Sequence, residues 1–290
     1  MLQGIAKKTC DVLPMLSAFH SVVVDVRDFT AAVEHYAVLL GREAAWIGAN
    51  AMRGCRSALF PLANMTLEIR DPGAGDQTHQ GLAGMRLSMH DDGAAAERLE
   101  ARGVSTLESC HEVAEGLDGV SRREWTRLPI APTSSRSIPI ELASQETGWQ
   151  LPAAGQADDA QSAVRGLDHV VVFSADLEAT RAFYGEGLGI RLALDRSFEN
   201  RGVRLLFFRL AGVTIELGAR LGVEAQPECP DRFGGLAWQV DDVEAIQTRL
   251  AGLGFDVSEL REGHKVGTRV CTVLDPVHGV PTLLIEPVSR

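Results

Sequence analysis

The sequence predicts an α+β fold of four βαβββ-like units arranged in two pairs. The main observation is an internal repeat: the segments that begin at Ser21 (SVVVDVRDFTAAVEHYAVLLG) and at His169 (HVVVFSADLEATRAFYGEGLG) align without a gap. Asp28 thereby matches Asp176, 148 positions later, and the same offset relates the downstream segments MTLEI and VTIEL. A repeat of this length indicates that both halves of the chain fold in the same way. The second observation is that the order strand, helix, strands occurs twice within each half.

In the N-terminal half, the hydrophobic pattern defines the elements. A valine-rich run predicts a first strand, and apolar residues at helical spacing before Gly41 predict a helix. Two apolar runs separated by Ala63 and Asn64 predict a hairpin, and a second strand and helix follow. The predicted elements are strands at Phe19–Val26, Ser57–Leu62, Met65–Ile69, Gly84–Met89 and Ile138–Leu142, and helices at Thr30–Leu40 and Gly93–Arg102.

The C-terminal half repeats this order. Its runs of Val, Ile, Leu and Phe predict strands, and two segments of helical spacing predict helices. The predicted elements are strands at Asp168–Ser174, Leu205–Leu210, Val213–Leu217, Gly235–Val240, Arg269–Leu274 and Thr282–Glu286, and helices at Leu177–Leu188 and Val243–Leu253.

Between the halves, the segment QETGWQLPAAGQADDAQSAVR is rich in Ala, Gln, Asp and Gly, which is typical of an exposed linker. We therefore predict an N-terminal domain at residues 1–150, a linker at 151–165 and a C-terminal domain at 166–290. At 290 residues, the chain is long enough for two such domains, each with its own core.

Composition excludes several functional classes. The net charge of −11 disfavours general binding to nucleic acid, because phosphate groups would be repelled. Apolar runs of the length of a membrane span, about 18 residues, are absent from the sequence. Five scattered cysteines without a CxxC pair indicate reduced thiols, and the first residues do not resemble a cleaved signal peptide. We therefore expect a cytoplasmic protein, a monomer or homodimer, whose partner is a small molecule.

A family likeness is carried by several segments of the C-terminal half: GLDHVVVFSADLEATRAFYGEGLGIRLALD, VTIEL, GGLAWQVDDVEAIQTRLAGLGFDV and DPVHGVPTLLIEP. These resemble the vicinal oxygen chelate superfamily, which includes glyoxalases, bleomycin-resistance proteins, methylmalonyl-CoA epimerases and extradiol dioxygenases. The N-terminal half resembles its glyoxalase-like members in FHSVVVDVRDFTAAVEHYAVLLGREAAW and MTLEIRDP. The resemblance implies that paired βαβββ units form two cup-shaped, partly open barrels. It is specific for the fold and weaker for the reaction.

The resemblance also implies where a metal would bind. Family ligands come from the first and last strands of each unit, and these positions carry His169, Glu216, Gly235 and Glu286 in the C-terminal half. We predict a divalent metal (Zn, Mn, Ni or Fe) held by His169, Glu216 and Glu286, because an imidazole and two carboxylates leave positions open for substrate. Glu216 or Glu286 would alternatively act as the catalytic base. The alternative for each carboxylate is an ordinary ion pair with an arginine.

Two departures from the family pattern limit this interpretation. Gly235 stands where family members with four ligands have a donor, although His264 and His278 are nearby in sequence. The N-terminal cup has Ser21 at the histidine position, so we expect it to retain the fold without a metal. The ungapped alignment places His20 on the opposite face of its strand, whereas a one-residue bulge would turn it inward.

Further candidates for substrate binding are His264 and Arg269, which flank two glycines in REGHKVGTRV, and Phe173, which shares a strand face with His169. The alternative is an ordinary hairpin with solvated charges. The leading hypothesis is a metal-dependent lyase or isomerase of the glyoxalase-like group, acting on a small oxygenated molecule at the C-terminal cup. The rival is a metal-free binding protein of the bleomycin-resistance type. An extradiol dioxygenase is the least favoured, because the second histidine is missing.

Overall fold

A computed structural model of the protein describes residues 15–73, 80–89, 93–144 and 160–287. In the N-terminal half, eight strands close into a barrel in the order β1-β4-β3-β2-β6-β7-β8-β5. Two helices pack outside it. The elements of this half are β1 (Leu16–Asp25), α1 (Phe29–Leu40), β2 (Trp46–Asn50), β3 (Cys55–Pro61), β4 (Thr66–Asp71), β5 (Gly81–Met89), α2 (Ala95–Glu100), β6 (Cys110–Gly116), β7 (Arg122–Pro129) and β8 (Ile140–Ala143).

The C-terminal half forms an eight-stranded sheet in the order β10-β11-β12-β9-β13-β16-β15-β14. Its outer strands β10 and β14 do not pair with each other, so this sheet forms an open cup instead of a closed barrel. The elements are β9 (Val164–Phe173), α3 (Leu177–Ala182), β10 (Arg191–Phe198), β11 (Val203–Leu210), β12 (Val213–Arg220), β13 (Arg232–Val240), α4 (Val243–Gly252), β14 (Arg261–Glu262), β15 (Arg269–Val277) and β16 (Val280–Glu286).

The repeated residues have the same structural role in both halves. The carboxylates of Asp28 and Asp176 accept hydrogen bonds from the backbone N–H three residues later, and so begin α1 and α3. Gly41 follows α1 in the left-handed conformation, with φ of 69°, which glycine adopts without strain. The aromatic rings of Tyr36 and Tyr184 are fully buried against the sheets. The sequence repeat therefore records helix caps and core contacts rather than a shared reaction.

One helix departs from the prediction. The segment predicted as a helix at Leu177–Leu188 is α-helical only at Leu177–Ala182 and continues as a π-helical turn at Phe183–Gly187. Gly185 and Gly187 weaken the α-helix here. A Cβ at Gly187 would approach Val104 of the N-terminal half to 2.6 Å, so glycine also permits close packing between the halves.

The two halves share one hydrophobic core and several hydrogen bonds. The side chain of Asn64, in the turn between β3 and β4, donates to the carbonyl of Leu167 at 2.7 Å and accepts from its N–H at 3.0 Å. The hydroxyl of Tyr36 donates to the carbonyl of Val277 at 3.1 Å. The Asn64 hydrogen bonds hold β9, the strand that carries His169, against the N-terminal half, and the Tyr36 hydrogen bond joins α1 to β15.

The predicted fold class is confirmed: the protein is α+β, with two eight-stranded sheets. The N-terminal sheet closes completely, whereas the C-terminal sheet stays open. The predicted linker at 151–165 lies mostly outside the described residues, and Val164 and Arg165 already belong to β9. Within the described ranges, the structure contains no helix long and apolar enough to cross a membrane.

Glycine at position 235 is required by the backbone. Its φ is +144°, and an added Cβ would lie 2.6 Å from the carbonyl oxygen of Pro281 on the neighbouring strand. Gly84 makes the corresponding approach to Pro139 in the N-terminal barrel, where a Cβ would lie 3.2 Å from the carbonyl oxygen. A residue with a metal-ligating side chain therefore cannot replace Gly235 unless β13 moves away from β16.

We expect Gly235→Ala to lower the free energy of unfolding by about 1–3 kcal/mol, because alanine is strained at this φ and meets Pro281. The matched control is Gly252→Ala at the end of α4, where an added Cβ meets nothing within 4 Å and alanine favours the helix. Urea unfolding of both variants measures the difference. Equal stabilities would contradict the strain argument.

Candidate functional site

The centre of the C-terminal cup is a row of side chains from neighbouring strands. His169 on β9 lies between Thr214 on β12 and Ala237 on β13, and Ala237 is next to Leu283 on β16. Directly paired residues project from the same face of a sheet. On the next row of this face, Glu216 pairs with Val171. His169 and Glu216 therefore enter the cup together.

A β-bulge turns one further residue into the cup. Ala237 pairs with His169 but Trp238 pairs with Leu167, so Asp168 is the extra residue of β9. Its carboxylate Oδ1 lies 2.8 Å from Nδ1 of His169, and its Oδ2 accepts a hydrogen bond from the side-chain amide of Gln239 at 3.2 Å. Asp168 thus orients the imidazole and leaves Nε2 of His169 facing the cup.

The same bulge occurs at His20 in the N-terminal barrel, where Phe19 pairs with Leu87 and Ser21 with Arg86. The expectation from the ungapped alignment was therefore wrong for His20, and the alternative bulge is present. Burial, together with the charges of Arg86 and Arg123, lowers the pKa of His20 to about 4 despite the opposing charge of Glu68. His20 is neutral at physiological pH in this environment.

His169 has the opposite electrostatic setting. Its Nε2 lies 3.7 Å from Oε2 of Glu216, and the two side chains are only 16% and 19% exposed. Burial alone would lower the pKa of His169, but the hydrogen bond to Asp168 and the charges of Glu216 and Asp168 outweigh it and raise that pKa. The same interactions with His169 lower the pKa of Asp168 against the effect of its burial. The arrangement favours an imidazolium between two carboxylates.

Apolar side chains form the walls above this pair. Phe173, two residues along the cup face from Val171, is 43% exposed, and Leu194 on β10 is 47% exposed. Phe207 pairs with both Leu194 and Glu216 and therefore lies between them on the same face. The guanidinium of Arg232 stacks on Phe173 at 4.9 Å. The site therefore combines an apolar wall with charged, partly desolvated groups at the bottom of the cup. This combination is typical of small-molecule sites.

Glu286 does not join His169 and Glu216, which corrects the prediction. Glu286 has the same strand parity as Leu284, which is fully buried in the core beside Trp238 on the opposite face of the sheet. Its Oε2 accepts from the N–H of Val243, the first residue of α4, at 3.0 Å. The same oxygen binds Arg269 at 2.7 Å. Glu286 therefore stabilises the start of α4 and is not available to the cup.

The error arose from the alignment of PIEL with LIEP. Strand pairing places Glu141 beside Arg86 in the N-terminal barrel, and Leu283 beside Ala237 in the C-terminal cup. Ala237 corresponds to Arg86, because these residues pair with the repeat partners His169 and Ser21. Leu283, not Glu286, is thus the structural equivalent of Glu141. A slip of three residues places a side chain on the wrong face of a strand.

The structure separates the predicted substrate-binding residues. Arg269 is also a correction: it pairs with Glu286 on the face that carries α4, and Glu244 lies 3.5 Å away. Phe173 lies in the cup wall, as described above. His264 is exposed on the loop after β14, where burial and then the charges of Arg201 and Arg261 lower its pKa, partly offset by Glu216. His264 therefore lies within electrostatic range of the cup.

The donors present do not fit the predicted metal. His169 and Glu216 provide one nitrogen and one carboxylate, because the carboxylate of Asp168 is already hydrogen-bonded to Nδ1 of His169 and to the amide of Gln239. The neighbouring cup-facing positions hold Gly235, Ala237 and Leu283, whose side chains carry no ligating atoms. Among the described residues, no group of three or more His, Cys, Asp or Glu is arranged to hold a metal ion. Two protein ligands are fewer than the three that catalytic metal sites commonly use. The side chains of the cup therefore do not fit the predicted three-ligand metal site.

The interior of the N-terminal barrel is filled by buried ion pairs. Arg86 binds Glu68 and also Glu141, the latter at 2.9 Å, and Arg127 binds Glu141 at 3.2 Å and also Glu112. Glu68 and Glu141 are therefore ion-pair partners of arginines inside the barrel. The guanidinium of Arg123 stacks on Trp46 and Trp125 at 5.0 and 5.1 Å. Among these groups remains a cavity of about 10 Å³, enough for roughly one water molecule.

The residues at equivalent positions of the two halves explain why the C-terminal cup has space for a ligand whereas the N-terminal barrel is filled. Strand pairing matches Trp46 with Leu194, since Trp46 pairs with Leu59 and Leu194 pairs with its repeat partner Phe207. The replacement of Arg86 and Glu141 by Ala237 and Leu283 removes two large charged side chains from the cup. His169 replaces Ser21 in the space that this creates.

Comparison with known proteins assigns the family. A model of the glyoxalase/bleomycin resistance protein/dioxygenase superfamily matches residues 168–272. The chain is 30% identical over 128 residues to an ethylmalonyl-CoA/methylmalonyl-CoA epimerase of Cereibacter sphaeroides, covering 87% of that protein and 42% of this chain. The chain belongs to this superfamily. The predicted resemblance is thereby confirmed.

Solved structures of superfamily proteins have the same fold. A mutant of 4-hydroxymandelate synthase from Streptomyces coelicolor has a TM-score of 0.66 and 16% identity, with 95% of this chain and 94% of that chain covered. The Mn(II)-bound glyoxalase from Novosphingobium aromaticivorans has a TM-score of 0.63 and 17% identity, with 96% and 84% covered. At these identities the likeness concerns the fold alone.

Sequence reasoning missed Asp168, although its position next to His169 was available. An acidic residue before a strand histidine is informative only when a bulge brings both side chains to one face, and the ungapped repeat gave no sign of that bulge. Sequence reasoning also missed that Ala237 occupies the position of Arg86, because this equivalence is visible only from the pairing of the strands.

We expect His169 to titrate above the ordinary histidine value of about 6.5 and His20 near 4 in the same protein. Asp168→Asn should lower the pKa of His169, because the amide removes the negative charge and offers Nδ1 only a weaker, neutral acceptor. A raised folded-state pKa contributes stability below about pH 6.5 that is lost as the pH rises through the folded value, so the variant should lose that contribution. Histidine-resolved NMR titration measures both pKa values, and an unchanged pKa of His169 in the variant would contradict the assignment.

The filled N-terminal barrel gives a second expectation. Arg86→Met should lower the free energy of unfolding by about 3–5 kcal/mol, because it leaves Glu68 and Glu141 buried without their main partner. Arg56→Met is the matched control: Arg56 is 52% exposed in its pair with Asp71 and should contribute at most about 1 kcal/mol. Urea unfolding compares them, and a loss from Arg86→Met no larger than the control's would refute the structural role.

Proposed function

We propose that the C-terminal cup is the active site of a proton-transfer enzyme, an isomerase or lyase of the glyoxalase-like type that acts on a small carbonyl compound. The observation that carries this proposal is the arrangement of Asp168, His169 and Glu216: an imidazole oriented by one carboxylate and facing another at the base of an apolar cup. Each polar group is partly desolvated, which strengthens its interaction with a bound ligand.

In this proposal, His169 acts through Nε2–H, which donates a hydrogen bond to the carbonyl oxygen of the ligand. Glu216 takes the proton from the adjacent carbon, whose electron pair moves into the enolate, and the hydrogen bond from His169 stabilises the negative oxygen. Returning the proton to carbon completes an isomerisation, and loss of a leaving group completes a lyase reaction. Asp168 keeps Nδ1 engaged and favours the charged imidazolium.

The family relationship supports this chemistry. The relative from Cereibacter sphaeroides is called an epimerase, and epimerisation at a carbon beside a carbonyl requires removal and return of one proton. The proposal keeps the predicted isomerase or lyase class but replaces the predicted metal with charged side chains, because Glu286 lies on the other face. The N-terminal barrel, whose interior is filled, would serve as the scaffold that holds β9.

The second candidate is a small-molecule binding protein without turnover. The exposed apolar wall at Phe173 and Leu194 favours it, because such a wall holds a ligand whether or not a proton moves. The two candidates differ in their dependence on His169: binding to the wall tolerates its loss, whereas proton transfer does not.

We expect the protein to exchange the α-proton of methylmalonyl-CoA, the substrate named for its relative, when incubated in D₂O and followed by proton NMR. His169→Asn and Glu216→Gln should each slow the exchange by about 10²–10⁴-fold, because each removes an acid or base group. Arg122→Gln, an exposed change on the N-terminal barrel, should have no effect, and treatment with EDTA should leave the rate unchanged.

Loss of exchange on EDTA treatment would instead favour a metal-dependent reaction. Ligand binding without exchange would favour the binding protein. Exchange that persists in both site variants would exclude this site.

A further inference from the structure

A cluster of cations borders the mouth of the C-terminal cup. Arg196 and Phe198 lie on the cup face of β10, because Arg196 pairs with Leu205 and Leu205 with Gly218 beside Phe173. The guanidinium groups of Arg196 and Arg201 both stack on the ring of Phe198, at 4.9 and 5.9 Å from its centroid. Two positive charges are therefore held together at one edge of the cup.

A third cation approaches from the opposite edge. Arg261 on β14 donates from Nη2 to the hydroxyl of Thr272 at 3.2 Å, and Thr272 continues the row of His169, Ala237 and Leu283. Strands β10 and β14 are the two outer strands of the open sheet, so Arg196 and Arg261 border the opening from its two sides. The cations thus face each other across the gap between β10 and β14.

In the described part of the chain, Arg196, Arg201 and Arg261 form no ion pair with a carboxylate within 4 Å. In the N-terminal barrel, the repeat aligns Arg53 with Arg201. Arg53 lies 3.9 Å from the carboxylate of Glu112. Counting along the paired strands, Gly263 occupies the position of Glu112 in the C-terminal half.

The missing carboxylate distinguishes this cluster from an ordinary charged surface. The chain as a whole carries a net charge of −11, so carboxylates are abundant elsewhere. Like charges held close together cost free energy unless an anion neutralises them. An external anion would take the place that Glu112 occupies in the first barrel.

We propose that Arg201 and Arg261, with Arg196, form a subsite for a carboxylate or phosphate group of the ligand of the C-terminal cup. This inference rests on the proposed function and narrows its substrate class to an anionic molecule with an apolar body. The anionic group binds at the mouth, the body contacts Phe173 and Leu194, and the far end reaches His169 and Glu216. Arginine suits this role because its planar donors match both carboxylate and phosphate.

The test uses fluorine NMR of the full chain with three probes: 4-fluorobenzoate, 4-fluorophenyl phosphate and the neutral 4-fluorobenzamide. We expect at least one anion to bind about tenfold more tightly than the amide, and the preference to weaken as salt is added. Comparison of the two anions identifies the preferred group. In the double variant R201Q/R261Q this preference should disappear, whereas R201K/R261K should keep part of it and R122Q should keep all of it.

Equal affinity for all three probes, or a preference that survives in R201Q/R261Q, would overturn the proposal, as would failure of every probe to bind. Unfolding curves of each variant verify that it folds. The anion subsite and the proton-transfer site can be tested separately: His169→Asn should slow α-proton exchange as given above but leave the preference for anions unchanged.

Discussion

The alternation of side chains along each strand is the constraint on which both barrels depend. It places Glu68, Arg86 and Glu141 together inside the first barrel, and it places His169 and Glu216 together in the second. The bulge at Asp168 adds one residue to this set without disturbing the remaining pairs. The same alternation sends Glu286 to the start of α4. Which residues meet in the cup is therefore decided by register rather than by chemical type.

The two halves use one backbone plan with different contents. In the first barrel, charged pairs and two tryptophans occupy the interior, and the strands close around them. In the second, alanine, leucine and glycine occupy several of the same positions, and the sheet remains open between β10 and β14. A closed barrel with a filled interior suits a scaffold, whereas an open one with charged groups at its base suits a ligand. After duplication, each half retained the caps and core residues that form the fold.

Much of the fold could be predicted from sequence, because its determinants are local. The helices α1 and α4 follow from helical spacing and from Asp28 and Asp242 at their starts. The repeat gave the four-unit order. The strands β2, β6, β7 and β10 were not assigned individually, since charged or small residues interrupt their apolar pattern and their pairing is non-local. The π-helical turn after α3 was also missed.

The site was predictable only in part. His169 and Glu216 were identified because both lie in the ungapped part of the repeat, where parity is reliable. Glu286 was misplaced, because matching LIEP with PIEL shifts the last strand by three residues and so reverses its face. Arg269 was misplaced, because it belongs to β15 and pairs there with Glu286, on the face that carries α4. Asp168 and the unpaired arginines become visible only when the strands are paired in space.

The pKa of His169 in two glutamine variants tests this account most directly. If His169 shares the cup with Glu216 and not with Glu286, Glu216→Gln lowers the pKa of His169 in an NMR titration, and Glu286→Gln leaves it unchanged. A lowered pKa of His169 in Glu286→Gln, or an unchanged one in Glu216→Gln, would contradict the account.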